Sequence, residues 1–197
     1  MKLRNVLVSA TILTTALVLA GCSTNGTVLG GSATGSSKPS AGVSAPHNDP
    51  DVAFTTNMIA HHQQAIEMAD MVLTKQGVDP RVVTLAQDIK NAQGPEITTM
   101  TGWLKDWGQP ATMAGMPGMA MNGMMSDADM QSLDAASGAD AGKLFLTQMT
   151  QHHQGAIDMA NEEVTTGLST AAIALAKKIA HAQTAEIARM KELLASL

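Results

Sequence analysis

Apolar residues recur at spacings of three and four along four stretches of this chain, at roughly 50–76, 79–107, 139–166 and 169–196. That period marks a helix with one buried face. Ala, Leu, Met, Gln and Glu, all good helix formers, fill the stretches. Asp49-Pro50 and Asp79-Pro80 each offer an N-cap acid followed by proline at the first helical position. Ser169 can cap the last helix, and Gly77 and Gly167 are placed as C-terminal stops. Two helical hairpins with short turns predict an all-α fold, a four-helix bundle.

The two hairpins are copies of one unit. Met58-Ile59-Ala60-His61-His62-Gln63-Gln64-Ala65-Ile66-Glu67-Met68-Ala69 is matched by Met149-Thr150-Gln151-His152-His153-Gln154-Gly155-Ala156-Ile157-Asp158-Met159-Ala160. Phe54 matches Phe145, and further on Ala92-Gln93, Glu96-Ile97 and Met100 match Ala182-Gln183, Glu186-Ile187 and Met190. The register slips by one residue in the intervening turn. The repeats span about 50–108 and 139–197, with a linker at about 109–138.

At about 100° per residue, His61, His62, Met58, Met68 and Phe54 share one broad arc of the first helix. His152, His153, Met149, Met159 and Phe145 do the same on the third. Glu67 and Asp158 fall on the opposite side and read as solvated charges. On the second and fourth helices Gln93, Glu96 and Met100, and Gln183, Glu186 and Met190, lie on the core stripe. A glutamate there is costly unless paired, so Glu–His contact is expected across each hairpin. Glu96 and Glu186 either orient an imidazole or are ligands themselves. Gly94-Pro95 should kink the second helix.

Imidazole with thioether suits copper, and thioether in particular suits Cu(I). Neutral imidazole is the binding form, so affinity is expected to fall below the ordinary histidine pKa of about 6.5. Packing alone is the competing reading of these residues. A long helix of a di-iron bundle would carry Glu-x-x-His, and none here does.

The linker adds Met113, Met116, Met119, Met121, Met124 and Met125 among glycine and proline. Such a stretch cannot be a helical core stripe, and exposed methionine has little packing reason to be there. It reads as a second soft-metal site, with a sticky surface or an oxidant sink as alternatives. Ser126–Ala136 reads as a short helix.

Lys2 and Arg4 precede an apolar run, Val6–Ala20, too short for an ordinary spanning helix. Residues 1–21 read as a signal peptide. Leu19-Ala20-Gly21-Cys22 resembles the bacterial lipoprotein box, which implies cleavage before Cys22 and lipid on its sulfur. Cys22 is the one cysteine in the sequence, so no intrachain disulfide can form. Residues 22–48 have the Gly/Ser/Thr/Ala composition of a flexible tether, with His47 solvated in it. The net charge of −5 argues against nucleic-acid binding.

The paired His-His-Gln-x-Ala-Ile-x-Met-Ala motifs and the Ala-Gln-x-x-Glu-Ile-x-x-Met segments resemble the domain of unknown function 305 (DUF305) family over roughly residues 50–196. The resemblance implies a ferritin-like bundle in a secreted or envelope protein, and some members are linked to copper binding and tolerance. By that match His61, His62, His152, His153, Met58, Met68, Met149 and Met159 are the candidate ligands. The expectation is a lipid-anchored, extracytoplasmic copper-binding protein that sequesters copper or exchanges it with a delivery or acceptor protein, without catalysis. A di-metal redox enzyme in the bundle core and a metal-independent interaction module are the rival readings.

Overall fold

A computed structural model describes residues 45–110 and 122–197. The signal segment, Cys22, most of the tether, and Met113, Met116, Met119 and Met121 lie outside the described residues. Among the described residues five helices follow in order: α1 (Asp49–Leu73), α2 (Pro80–Asp106), α3 (Asp127–Ala135), α4 (Gly138–Thr166) and α5 (Thr170–Ser196). The four long ones are those the periodicity predicts.

Their ends show which local signals act. α1 is capped one residue earlier than expected. Asn48, not Asp49, accepts from the Asp51 N–H while the Asp51 carboxylate accepts from the Asn48 N–H, a reciprocal capping box. Asp79 caps α2 through the Arg81 N–H, and Ser169 caps α5 through the Ala172 N–H, both as predicted. Gly77 takes a φ of +78° in the α1–α2 turn, as a stop residue does. Gly167, with φ −68°, ends α4 for a different reason. A Cβ there would sit 2.3 Å from a carboxylate oxygen of Glu163. α2 runs on through Gly94-Pro95, with Pro95 on the exposed side, where its missing N–H costs least.

Hairpin α1/α2 packs on hairpin α4/α5 chiefly through α1 and α4, while α2 and α5 barely touch. α1 and α4 run antiparallel, so the two repeats are related by an approximate two-fold axis. The apolar core accordingly falls into two clusters. One holds Phe54, Met58 and Met100 with Ala156, Ala160 and Ile179. The other holds their counterparts Phe145, Met149 and Met190, with Met68, Val72, Leu85 and Ile89. Burying such side chains contributes about 1.5–3 kcal/mol each. The histidine motifs lie between the clusters, at mid-bundle.

α3 covers one face through Leu133, which is fully buried. Met125, just before it, belongs to the core and is only 9 % exposed. The expectation that the linker methionines are all exposed therefore fails at Met125. Its backbone is held to α1, which turns the side chain inward. His47 also departs from expectation. Its ring stacks on Trp107 at a centroid distance of 4.7 Å and an interplanar angle of 8°, so the folded part reaches back before α1.

Candidate metal centre

Each histidine pair splits its labour. His62 and His153 face outward across their own hairpins, where Nε2 meets Glu96 Oε2 at 3.0 Å and Glu186 Oε2 at 2.7 Å. These are the two Glu–His contacts expected from the helix faces. Nε2 therefore carries the proton and donates to the carboxylate, which leaves the lone pair on Nδ1. In both rings that Nδ1 is buried with no hydrogen-bond partner.

Glu96 is held more tightly than Glu186. Burial pushes its carboxyl pKa up, but the hydrogen bonds from His62 and from Lys178 Nζ (3.2 Å) outweigh it and hold the group below its ordinary value. Lys178 comes from α5, so this contact also ties the two hairpins together. The Glu186 side chain is about twice as exposed, 22 % against 11 %.

His61 and His152 point at each other. They occupy the same position in the two repeats and meet across the approximate two-fold axis, with ring centroids 3.7 Å apart and planes inclined at 45°. Among the described residues neither ring finds a hydrogen-bond partner for either nitrogen, and none of the four histidines is more than 1 % exposed. Burial, reinforced by the neighbouring imidazoles, pulls His61 down to about 3 and His152 well below its ordinary value. Burial also lowers His62, against the opposing pull of Glu96. The central pair is thus neutral across the physiological range.

An unpartnered buried polar group costs about 1–3 kcal/mol, and most buried polar groups in folded proteins are satisfied. Six orphaned imidazole nitrogens in one layer are therefore an anomaly for a chain that only has to fold. Gln93 (both amide atoms) and Gln183 (its oxygen) add to it from the second and fourth long helices. Among the described residues no three His, Cys, Asp or Glu side chains converge as a ready-made ligand cluster. The donors come as imidazole pairs, flanked along the core by thioethers.

Met58, Met68, Met149, Met100 and Met190 are fully buried, while Met159 is half-buried beside Phe54 at the rim of a surface cavity. Thr150 Oγ1 lies 3.8 Å from Met190 Sδ. Glu67 and Asp158 are exposed, as read from the helix faces, and so is His181. Met124 is half-buried on the surface strap before α3.

One polar feature escaped the sequence reading. Asp51 is fully buried and accepts from the backbone N–H groups of Asn48, Leu168 and Ser169 at 2.6, 3.2 and 2.9 Å. It joins the start of α1 to the α4–α5 turn. Glu163, also buried, lies beside it. Burial and the Asp51 carboxylate push Glu163 up to about 8. The available signal was its place in the repeat, where the first copy has the buried Val72.

The family model described as Domain of unknown function (DUF305) matches residues 51–194. The chain belongs to this family. Among solved DUF305 structures, a protein from Streptomyces coelicolor described as secreted is 36% identical, with a TM-score of 0.70 over 75% of this chain and 93% of that one. A DUF305 fragment from Deinococcus radiodurans is 32% identical, with a TM-score of 0.71 over 77% and 99% of the two chains. CopM in its Cu(I)-bound form is also 32% identical, with a TM-score of 0.62 over 74% and 96%. CopM has likewise been solved in Cu(II)-bound and Ag-bound forms. No functionally curated relative matches the chain.

Proposed function

We propose that this DUF305 protein binds copper, principally as Cu(I), at the mid-bundle histidine layer. The observation that carries this reading is the His61–His152 pair: two neutral imidazoles in contact across the repeat axis, sealed from water, with every nitrogen unpartnered. Such a layer is expensive to keep for packing and inexpensive to fill with a metal. His62 and His153 offer Nδ1, oriented by Glu96 and Glu186 in the way carboxylates orient ligating histidines. The same carboxylates offset the positive charge that a cation would bring into a low-dielectric interior. Met58, Met68, Met149 and Met159 lie on the same helix faces, and their thioethers complete a soft donor set that favours Cu(I) over harder ions. CopM, about a third identical, binds copper and silver, which is the soft-ion pattern this donor set implies.

The role is to hold and hand on copper rather than to catalyse. A layer no more than 1 % exposed suits a held ion better than the open coordination position a substrate would need. The Met-rich linker, with Met113, Met116, Met119, Met121 and Met124, serves as a second, lower-affinity collection site. The location is the extracytoplasmic face of a bacterial membrane, with lipid on Cys22 as the anchor. No described helix is long and apolar enough to cross a membrane.

Anaerobic titration with Cu(I) against a chromophoric chelator tests the reading, with Zn(II) and Fe(II) as controls and Cys22→Ser to remove the lone thiol. Tight Cu(I) binding with weak Zn(II) and Fe(II) binding is expected. Equal affinity for all three, or none for Cu(I), would contradict it.

A further inference from the structure

Among the differences between the two histidine motifs, one changes size most: the first has Gln64 where the second has Gly155. Both residues engage the same piece of chain. The segment Asn122–Met125, which ends the Met-rich linker, lies as a strap across α1 and α4. On α1, Gln64 Nε2 donates to the Met125 carbonyl at 2.9 Å, and the Met125 N–H donates to Gln64 Oε1 at 2.8 Å. On α4, Asn122 Nδ2 donates to Asp158 Oδ2 at 2.9 Å.

Between these anchors the strap passes directly over Gly155. A Cβ on Gly155 would lie 2.0 Å from the Asn122 oxygen and 2.7 Å from Gly123 Cα. A Cβ on Gly123, whose φ is +84°, would lie 2.8 Å from Gly155 Cα and 3.0 Å from the Gln151 carbonyl. This is backbone on backbone, a contact that two glycines allow and that any larger residue at either position would push apart. Gln151 and Gly155 flank His152 on α4, and Gln64 is one turn beyond His61 on α1. The Asn122 carbonyl faces the His61 ring without reaching hydrogen-bond geometry. The strap therefore lies over α4 beside His152 and brings the Asn122 carbonyl to the His61 side of the histidine layer. Met124, half-buried, borders the groove alongside it.

We infer that the Asn122–Met125 strap is the gate through which a soft monovalent cation reaches His61 and His152, and that Gly155 and Gln64 are the positioning residues that close it. The inference rests on the copper reading given above. It adds that the end of the linker and the bundle form one continuous path, with the Met124 thioether beside the opening. A gate speeds or slows entry and exit alike, so its removal changes rates and leaves the equilibrium nearly untouched. A ligand behaves otherwise, because its loss raises the release rate and weakens affinity together.

The test uses the full chain loaded with one equivalent of Cu(I) under anaerobic conditions. Stopped-flow transfer to excess chromophoric chelator gives the release rate, and competition titration gives the affinity. Gly155→Ala removes the space under the strap, and Gln64→Leu removes both hydrogen bonds to Met125. Each should raise the release rate at least ten-fold and change the equilibrium affinity less than three-fold. Gly155→Ala favours the helix it sits in; should it nevertheless fail to fold, Gln64→Leu, which adds no bulk beneath the strap, decides. Unchanged release rates overturn the gate, and so does an affinity loss that matches the rate increase. In His61→Leu/His152→Leu, unchanged Cu(I) affinity would overturn the copper reading and the gate with it. Unchanged rates in the strap variants, with an affinity that does depend on those histidines, would overturn the gate alone.

Discussion

Asp51 and His61 lie on the same helix, and both are sealed from water. Around Asp51 the chain supplies three backbone donors, from Asn48, Leu168 and Ser169. Around His61 it supplies none, and the ring it meets, His152, is equally bare. The Asp51 carboxylate is therefore a fastening between α1 and the α4–α5 turn, satisfied within the protein, although both carboxylate oxygens of Glu163 beside it have no hydrogen-bond partner. The imidazole pair has no such partners, and the proposed metal is what would supply them. Burial of a polar residue says little about function until its hydrogen bonds are counted.

The repeat sharpens the contrast. Position 51 corresponds to Gly142 and position 163 to Val72, so the second copy of the bundle end has no polar pair at all. The histidines, by contrast, are present in both copies. The fold can close an end with valine and glycine or with two acids, whereas the mid-bundle layer is built from the same residues twice.

The largest expected effect separates the two regions by stability. Asp51→Ala strands the Leu168 and Ser169 N–H groups and should cost about 3 kcal/mol in denaturant unfolding, with Cu(I) affinity unchanged. A copper defect in that variant would show that the fastening and the layer are coupled. Next come the carboxylates that orient the histidines. Glu96→Ala should weaken Cu(I) binding by about 10–100-fold, the range for losing such a partner. Glu186→Ala should fall at the lower end, because Glu186 is more exposed and lacks a counterpart to Lys178. Equal effects would mean that the asymmetry in burial has no consequence for the metal.

Acid and base should pull on the two regions in opposite senses. Folded His61 has its pKa lowered to about 3 and His152 is lowered as well, while in the unfolded chain both protonate near 6.5. The unfolded state then binds more protons, so copper-free stability is full above about 6.5 and declines as pH falls toward 3. Glu163 runs the other way. Its folded value of about 8 exceeds the ordinary 4.5, so its contribution is full below 4.5 and is lost as pH rises through 8. Glu163→Gln should flatten the alkaline limb of a stability–pH curve and leave the acid limb in place. The same burial gives a different expectation for copper: proton competition at the central pair sets in well below 6.5, so Cu(I) affinity there should stay level from pH 7.5 to pH 5.

The smallest effect concerns the linker. Changing Met113, Met116, Met119, Met121 and Met124 to Leu should lower Cu(I) capacity while moving the midpoint of thermal unfolding by no more than a degree or two, since Leu and Met have similar volumes. Met125 is left out of that set because it packs in the core. Unchanged capacity would remove the linker from the account.

Much of this was legible in the sequence because helical period converts directly into faces. The four long helices, the two His–Glu contacts and the outward Glu67 and Asp158 all follow from about 100° per residue. The meeting of His61 with His152 did not follow, because a face says which way a side chain points and not which helix lies opposite. That required the antiparallel packing of α1 on α4. Asn48 displaced Asp49 as the cap because Asp51 completes its capping box, a signal present in the sequence and passed over. The inward turn of Met125 depends on its backbone pairing with Gln64, a contact between distant residues that no local pattern contains.

The central claim is that the histidine pair is incomplete without metal, and His61→Leu/His152→Leu tests it most directly. Leucine fills the space and carries no polar atoms, so both orphaned rings are removed without leaving large cavities. The measurement is unfolding of the copper-free and Cu(I)-loaded forms, beside wild type. The account predicts that the variant, without copper, is as stable as wild type or up to about 2 kcal/mol more stable. It also predicts that Cu(I), which stabilises wild type, no longer stabilises the variant. A variant that is clearly destabilised without copper and still stabilised by Cu(I) would show that these histidines serve packing and that copper binds elsewhere.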